Sequence, residues 1–164
     1  MAGTDRPASI AAGTSPHASV FHHSFTLFAL YGTHVLQIPL GAAAMKILLA
    51  EDDNDMRRFL AKALQNAGYD VSSYDNGASA YNRLREEPFE LLLTDIVMPE
   101  MDGIELARRA TELDPDIKVM FITGFAAVAL NPDLKAPRDA KVLSKPFHLR
   151  ELVNEVEKLL QQAA

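Results

Sequence analysis

From Met45 onward, short apolar runs alternate five times with single amphipathic stretches, and that alternation leaves few folds open. Lys46-Ile47-Leu48-Leu49-Ala50 is almost uninterruptedly apolar, as expected of a strand buried on both faces of a parallel sheet. Asp53 or Asn54 then caps a helix whose apolar positions Met56, Phe59, Leu60, Ala63, Leu64 and Ala67 recur with a 3.6-residue period, and Gly68 closes it. A second strand is expected over residues 69–74, and Asn76-Gly77 turns into a helix over 78–86. Pro88 precedes a strand over 89–94, and a third helix over about 103–113 is stopped by Asp114-Pro115. Strands over 117–123 and 141–144 follow. The last helix repeats Leu149, Leu152, Val153, Val156, Leu159 and Leu160 on one face. Strands separated by helices cannot pair as hairpins, so the sheet is parallel with right-handed crossovers. The expected fold class is α/β, a doubly wound (βα)5 three-layer sandwich over residues 45–164.

Composition narrows the function. The chain has 164 residues, enough for one domain and an appendage. A formal net charge of −6 speaks against coating a phosphate backbone, so direct nucleic-acid binding is not expected. The absence of cysteine excludes disulfides, thiol catalysis and Cys-based metal sites. No stretch of 18 apolar residues suggests a membrane span. Residues 7–45 contain no Asp, Glu, Lys or Arg, and are rich in Ala, Gly, Ser, Thr, Pro and His without a stable period. A secretory signal is disfavoured, because Asp5 and Arg6 leave no positive amino-terminal region. His22, His23 and His34 lack the spacing and acidic company of a metal tract. Residues 1–44 are read as a disordered extension outside the fold, or as sequence upstream of a natural start at Met45.

In open parallel sheets, ligands bind beyond the carboxyl ends of the strands where the strand order reverses. The residues leaving the first strand are Glu51-Asp52-Asp53, and Asp95 closes the third. Thr123 ends the fourth, and Lys145-Pro146-Phe147 follows the fifth. Asp53 is assigned to the helix cap. Carboxylates gathered in a partly dry pocket repel one another and call for a cation, and an all-oxygen donor set suits Mg²⁺. A hydroxyl and an ammonium opposite them suit a phosphoryl group, with Asp95 as the nucleophile.

These residues carry a resemblance. Ile47-Leu48-Leu49-Ala50-Glu51-Asp52, the run from Asp95 through Met98-Pro99-Glu100-Met101-Asp102-Gly103, Ile122-Thr123-Gly124 and Lys145-Pro146-Phe147 resemble the receiver domain of bacterial two-component response regulators. The likeness spans residues 45–161. It implies a flavodoxin-like sheet of order 2-1-3-4-5 and a stand-alone phosphoacceptor, rather than an enzyme with turnover. It further implies Mg²⁺ held by Glu51, Asp52, Asp95 and the Val97 backbone carbonyl. Asp95 takes the phosphoryl group, Thr123 and Lys145 contact it, and the Lys145–Pro146 bond is cis. Its single-domain cell-cycle members imply a cytoplasmic protein with a histidine kinase or phosphotransferase as donor, and control of proteolysis by the ClpXP protease as output.

The chain departs from the family at three places. Val142 stands where most receivers carry Tyr or Phe three residues before the pocket lysine. Pro132 and Pro137 shorten the fourth helix to about residues 125–130. Val97 and Phe125, each two residues beyond a pocket residue, are apolar and imply slow self-hydrolysis. After the last helix only Gln161-Gln162-Ala163-Ala164 remain, so the signal is expected to leave through protein contacts. The small apolar tail Ala163-Ala164 resembles those read by ClpX-type unfoldases. Arg57 and Arg58 are candidates for a donor-docking face. Three other readings compete: a degenerate receiver acting as an adaptor without phosphorylation, an Mg²⁺-dependent aspartyl-phosphate phosphatase, and a flavin module. The phosphatase needs a second Asp where Val97 stands, and the acidic turn after the first strand would repel a flavin phosphate.

Overall fold

The computed structural model describes residues 26–31, 34–39, 44–125 and 135–161. The chain divides into two units between Ala42 and Ala43. In the first, β1 (Thr26–Tyr31) and β2 (His34–Pro39) form an antiparallel pair in which Tyr31 faces His34 and Thr26 faces Pro39. The uncharged, aperiodic composition predicts disorder here, whereas the structure pairs two strands. The pair carries little sign in the sequence because both strands lie in uncharged sequence, where no charged residue marks an outer face. The two-residue spacer Gly32-Thr33 was the one hairpin signal available.

The second unit is built as the alternation requires. Five strands, β3 (Lys46–Ala50), β4 (Asp70–Tyr74), β5 (Leu91–Thr94), β6 (Lys118–Thr123) and β7 (Lys141–Ser144), form one sheet. Their order is β4-β3-β5-β6-β7 and every pairing is parallel. Counted within the unit this is 2-1-3-4-5, as expected. The described helices are α1 (Asn54–Asn66), α2 (Gly77–Leu84), α3 (Gly103–Leu113) and α4 (Leu149–Gln161). Among the described residues, no helix is long and apolar enough to cross a membrane.

Side-chain alternation along the strands feeds two cores. Ile47, Leu49, Leu91, Leu93, Met120 and Ile122 point to one face, where Leu60 and Leu64 of α1 meet Leu152, Val156, Leu159 and Leu160 of α4. Leu48, Ala50, Leu92, Val119 and Phe121 point to the other, under Ala80 of α2 and Ile104, Leu106, Ala107 and Ala110 of α3. Each fully buried leucine contributes about 1.5–3 kcal/mol relative to an exposed one, so the central strands anchor the whole unit.

The helix ends follow local rules. Asp53, not Asn54, caps α1: its Oδ1 accepts from the Met56 N–H at 2.8 Å. Gly68 ends that helix with φ 98°, a conformation only glycine adopts freely. Asn76 caps α2 and Asp102 caps α3 in the same way. Helix α2 starts one residue earlier and ends two residues earlier than expected, because Asn76 caps it directly and Arg85 already sits outside it. Phe125 is not helical, and the rest of the short helix expected over 125–130 lies outside the described residues, as does the Ala163-Ala164 tail.

Candidate functional site

Backbone hydrogen bonds carry the sheet one step past its strand ends and set the site there. The Glu51 N–H donates to the Tyr74 carbonyl at 3.0 Å, the Asp95 N–H to Ala50 at 2.9 Å, and the Lys145 N–H to Thr123 at 2.9 Å. Together with the β5–β6 ladder, these bonds fix five neighbouring chain segments in register just where their side chains leave the core. The Lys145–Pro146 peptide is cis, as the resemblance implied.

At the centre, the Lys145 Nζ donates to Asp95 Oδ2 at 2.7 Å and to Glu51 Oε2 at 2.9 Å. The Glu51 side chain is only 2% exposed, Asp95 12% and Lys145 23%, so this bridge is largely shielded from water. The second oxygen of Asp95, Oδ1, accepts from the Ile96 N–H at 2.6 Å. Oε1 of Glu51 accepts from the Asp53 N–H at 3.3 Å. Carboxylate oxygens of Glu51, Asp52 and Asp95 all lie within 4.8 Å of one another.

The charges in this cluster do not balance: three carboxylates face one ammonium. Burial pushes the Glu51 carboxyl above the usual glutamate range. Lys145 opposes that shift and the Asp95 charge adds to it. For Lys145, burial works against the ammonium, but the hydrogen bonds and charges of Asp95 and Glu51 outweigh it and hold its pKa above the ordinary lysine value. The surplus of negative charge, the all-oxygen donors and their close spacing fit a hard divalent cation such as Mg²⁺.

The structure gathers Glu51, Asp52, Asp95 and Lys145 in one place. Thr123 is fully buried at the end of β6, tied to Lys145 through the backbone, and its Oγ1 accepts from the Phe125 N–H at 3.0 Å. Val97 and Phe125 flank the pocket residues in sequence, with 55% and 58% of their surface exposed. Val142, at the position of the usual aromatic, is half-buried against the core on the α2/α3 face.

Arg57 makes contacts within the acidic turn. Its guanidinium donates to the Glu51 carbonyl at 2.7 Å and to the Asp52 carbonyl at 3.4 Å, and it also bonds the Asn54 side chain. It therefore braces the acidic turn, while Arg58 remains exposed. An arginine seven residues after a strand end carries no sign in the sequence that it will fold back onto backbone carbonyls.

A parallel α/β unit with a lysine-bridged acidic pocket at its switch point defines a narrow class of protein. The model of the response regulator receiver domain matches residues 47–157, and the chain belongs to that family. Over 115 residues it is 84% identical to the response regulator receiver protein CpdR of Brucella abortus (strain 2308), covering 70% of this chain and 96% of that one. It is 36% identical over 118 residues to the sensor kinase CckA of the same organism, covering 71% of this chain but 12% of the kinase. Among solved structures, a response regulator receiver protein from Sinorhizobium medicae WSM419 superposes with a TM-score of 0.68 at 31% identity, covering 74% of this chain and 98% of that one. The receiver domain of the hybrid histidine kinase CckA superposes with a TM-score of 0.61 at 29% identity, covering 71% and 99%. The chain is thus a signalling protein of the two-component class.

Proposed function

We propose that the unit over residues 45–164 is a phosphoacceptor switch that takes a phosphoryl group on Asp95. The observation that carries this reading is the shielded bridge of Lys145 to both Asp95 and Glu51, set among three carboxylates at the strand ends. A free oxygen lone pair of Asp95 attacks the phosphorus of a donor phosphohistidine. The O–P bond forms as the P–N bond breaks, and the departing imidazole keeps the electron pair and takes a proton from solvent. Lys145, already on Asp95, lies where its ammonium meets the charge on the transferring oxygens, and the Thr123 hydroxyl is the neighbouring donor. Glu51, Asp52, Asp95 and the Val97 carbonyl would hold Mg²⁺, which when bound supplies positive charge against the phosphoryl oxygens. Reversal of the switch is hydrolysis: water forms a new O–P bond as the Asp95 O–P bond breaks, inorganic phosphate and a proton leave, and the Asp95 carboxylate returns.

The donor is a histidine kinase or phosphotransferase, and the signal leaves by protein contacts in the cytoplasm. The similarity to CpdR supports an output as an adaptor in ClpXP-type proteolysis. Intact-mass spectrometry of the whole chain with Mg²⁺ and acetyl phosphate tests the core of the reading. One phosphate-sized gain is expected, absent without Mg²⁺ and absent in Asp95→Ala. No gain, either from acetyl phosphate or from a purified phosphohistidine donor, would leave an adaptor that works without phosphorylation.

A further inference from the structure

The loop that carries the acceptor is closed at its base and strained at its tip. It leaves β5 at Asp95 and returns at Gly103, whose N–H donates to the Ile96 carbonyl at 2.8 Å. A Cβ at Gly103 would stand 1.9 Å from the Asp95 carbonyl oxygen, so the start of α3 lies directly on the acceptor's own backbone. At the tip, the Met101 N–H donates to the Pro99 carbonyl at 2.8 Å across Glu100, whose φ is 67°. A three-residue turn with a bulky residue at positive φ is unfavourable and persists only where its surroundings hold it.

We propose that Gly77 is what holds it. Gly77 opens α2, on a different stretch of chain from every pocket residue. A Cβ there would stand 2.3 Å from the Met101 carbonyl oxygen, 2.9 Å from Met101 Cβ and 3.1 Å from the Met101 carbonyl carbon. Most of that contact is backbone against backbone, so no change of rotamer relieves it. Conformation does not explain the glycine. The residue is helical, and glycine there is less favourable than alanine on propensity. Clearance does explain it: the first turn of α2, pinned by the Asn76 side chain on the Ser79 N–H at 2.8 Å, lies flush against Met101. Gly77 is therefore a positioning residue. It braces the tip of the loop whose other end presents Asp95 and Val97.

This inference rests on the phosphoacceptor reading, and its test separates the two. Wild type, Gly77→Ala, Glu100→Gly and the double variant are each followed by thermal melting and by the rate of phosphate uptake from acetyl phosphate at saturating Mg²⁺. Gly77→Ala is expected to melt as a folded protein yet load about tenfold to a hundredfold more slowly. Glu100→Gly gives the turn a residue at ease with positive φ, so the double variant lets Met101 yield and recovers part of the loss. A role in helix packing alone predicts wild-type loading by Gly77→Ala, or a double variant whose loss is the product of the single losses; either result overturns the proposal. A titration of wild type with Mg²⁺, followed by amide NMR, covers the case in which Gly77→Ala does not fold. The Gly77 resonance is expected to shift in step with those of residues 96–102. A stationary Gly77 beside a shifting loop would overturn the brace. Wild type that never loads removes the phosphoacceptor reading instead, and the titration still decides the brace.

Discussion

Two lysines sit at opposite ends of the same sheet, and each meets acidic groups, yet the two clusters are built for different ends. At the amino end, Lys46 Nζ bonds Glu87 at 2.8 Å, its backbone N–H donates to Glu90 at 2.6 Å, and Arg83 shares Glu87 and Glu86. The Lys46 side chain is 37% exposed and Glu87 25%. The hydrogen bond between them holds the Glu87 carboxyl below the usual range and the Lys46 ammonium above it, so each partner favours the other's charge. At the carboxyl end the bridge is buried, and burial holds the Glu51 carboxyl above its usual range despite Lys145. Both clusters hold more carboxylates than cations, but the first is open to water, which solvates its surplus. The second is shielded, and its deficit of positive charge is what a divalent cation and a phosphoryl-transfer step can use.

Removing Lys145 should expose this difference most strongly. Lys145→Met leaves Glu51 and Asp95 facing each other with no ammonium between them. Without metal, stability should fall by about 3–5 kcal/mol, the usual consequence of breaking a buried pair. Mg²⁺ should bind more tightly than in wild type and restore much of the loss, as calorimetry would show. Phosphate uptake should nevertheless drop by about two to three orders of magnitude, because the cation on the transferring oxygens is gone. Unchanged Mg²⁺ affinity in this variant would mean that Lys145 does not compete for the carboxylates.

The two residues that follow Asp95 and Thr123 by two positions give the next largest effect. Val97 and Phe125 are exposed apolar side chains where a polar group could orient an attacking water. Val97→Asn with Phe125→Glu should shorten the lifetime of the phosphorylated form several-fold while leaving its formation nearly unchanged. Equal decay rates in the double variant and wild type would remove the shielding argument.

Arg57 tests whether the acidic turn needs its brace or only nearby positive charge. Arg57→Lys keeps the charge but loses the forked bonds to the Glu51 and Asp52 carbonyls. Mg²⁺ affinity is expected to fall by up to about tenfold in both Arg57→Lys and Arg57→Ala, as for a residue that orients ligands without touching the metal. Recovery in the lysine variant alone would assign the effect to charge.

The parts of the molecule that could be read from sequence share a cause. Alternating apolar runs announce strands and helices through periodicity, and the strand-end rule then points to Glu51, Asp95, Thr123 and Lys145 before any distance is known. The cap at Asp53 and the stop at Gly68 were legible because both act within one helical turn. What stayed hidden depends on approach between distant segments. Arg57 gives no sign that it will reach back to the carbonyls of Glu51 and Asp52. Asn76-Gly77 reads as an ordinary turn, although the glycine's reason is clearance for Met101, 24 positions along the chain. The β1–β2 pair escaped because its sequence carries no charge contrast to separate an inner from an outer face.

The smallest expected effect sharpens the comparison from its quiet side. Lys46→Ala removes an ammonium that meets its partner in partly exposed surroundings, where side-chain entropy and water offset most of the attraction. Phosphate uptake and Mg²⁺ affinity should match wild type, and the melting temperature should move only slightly. Salt tells the two lysines apart by mechanism. Raising ionic strength should erase the small Lys46→Ala difference, because exposed pairs are screened within a Debye length. The metal-free deficit of Lys145→Met should persist under the same salt, since its partners are shielded from solvent. If Lys46→Ala slowed loading as much as Lys145→Met, the pocket's chemistry would have to be ascribed to the field of the whole sheet, not to the burial of one bridge.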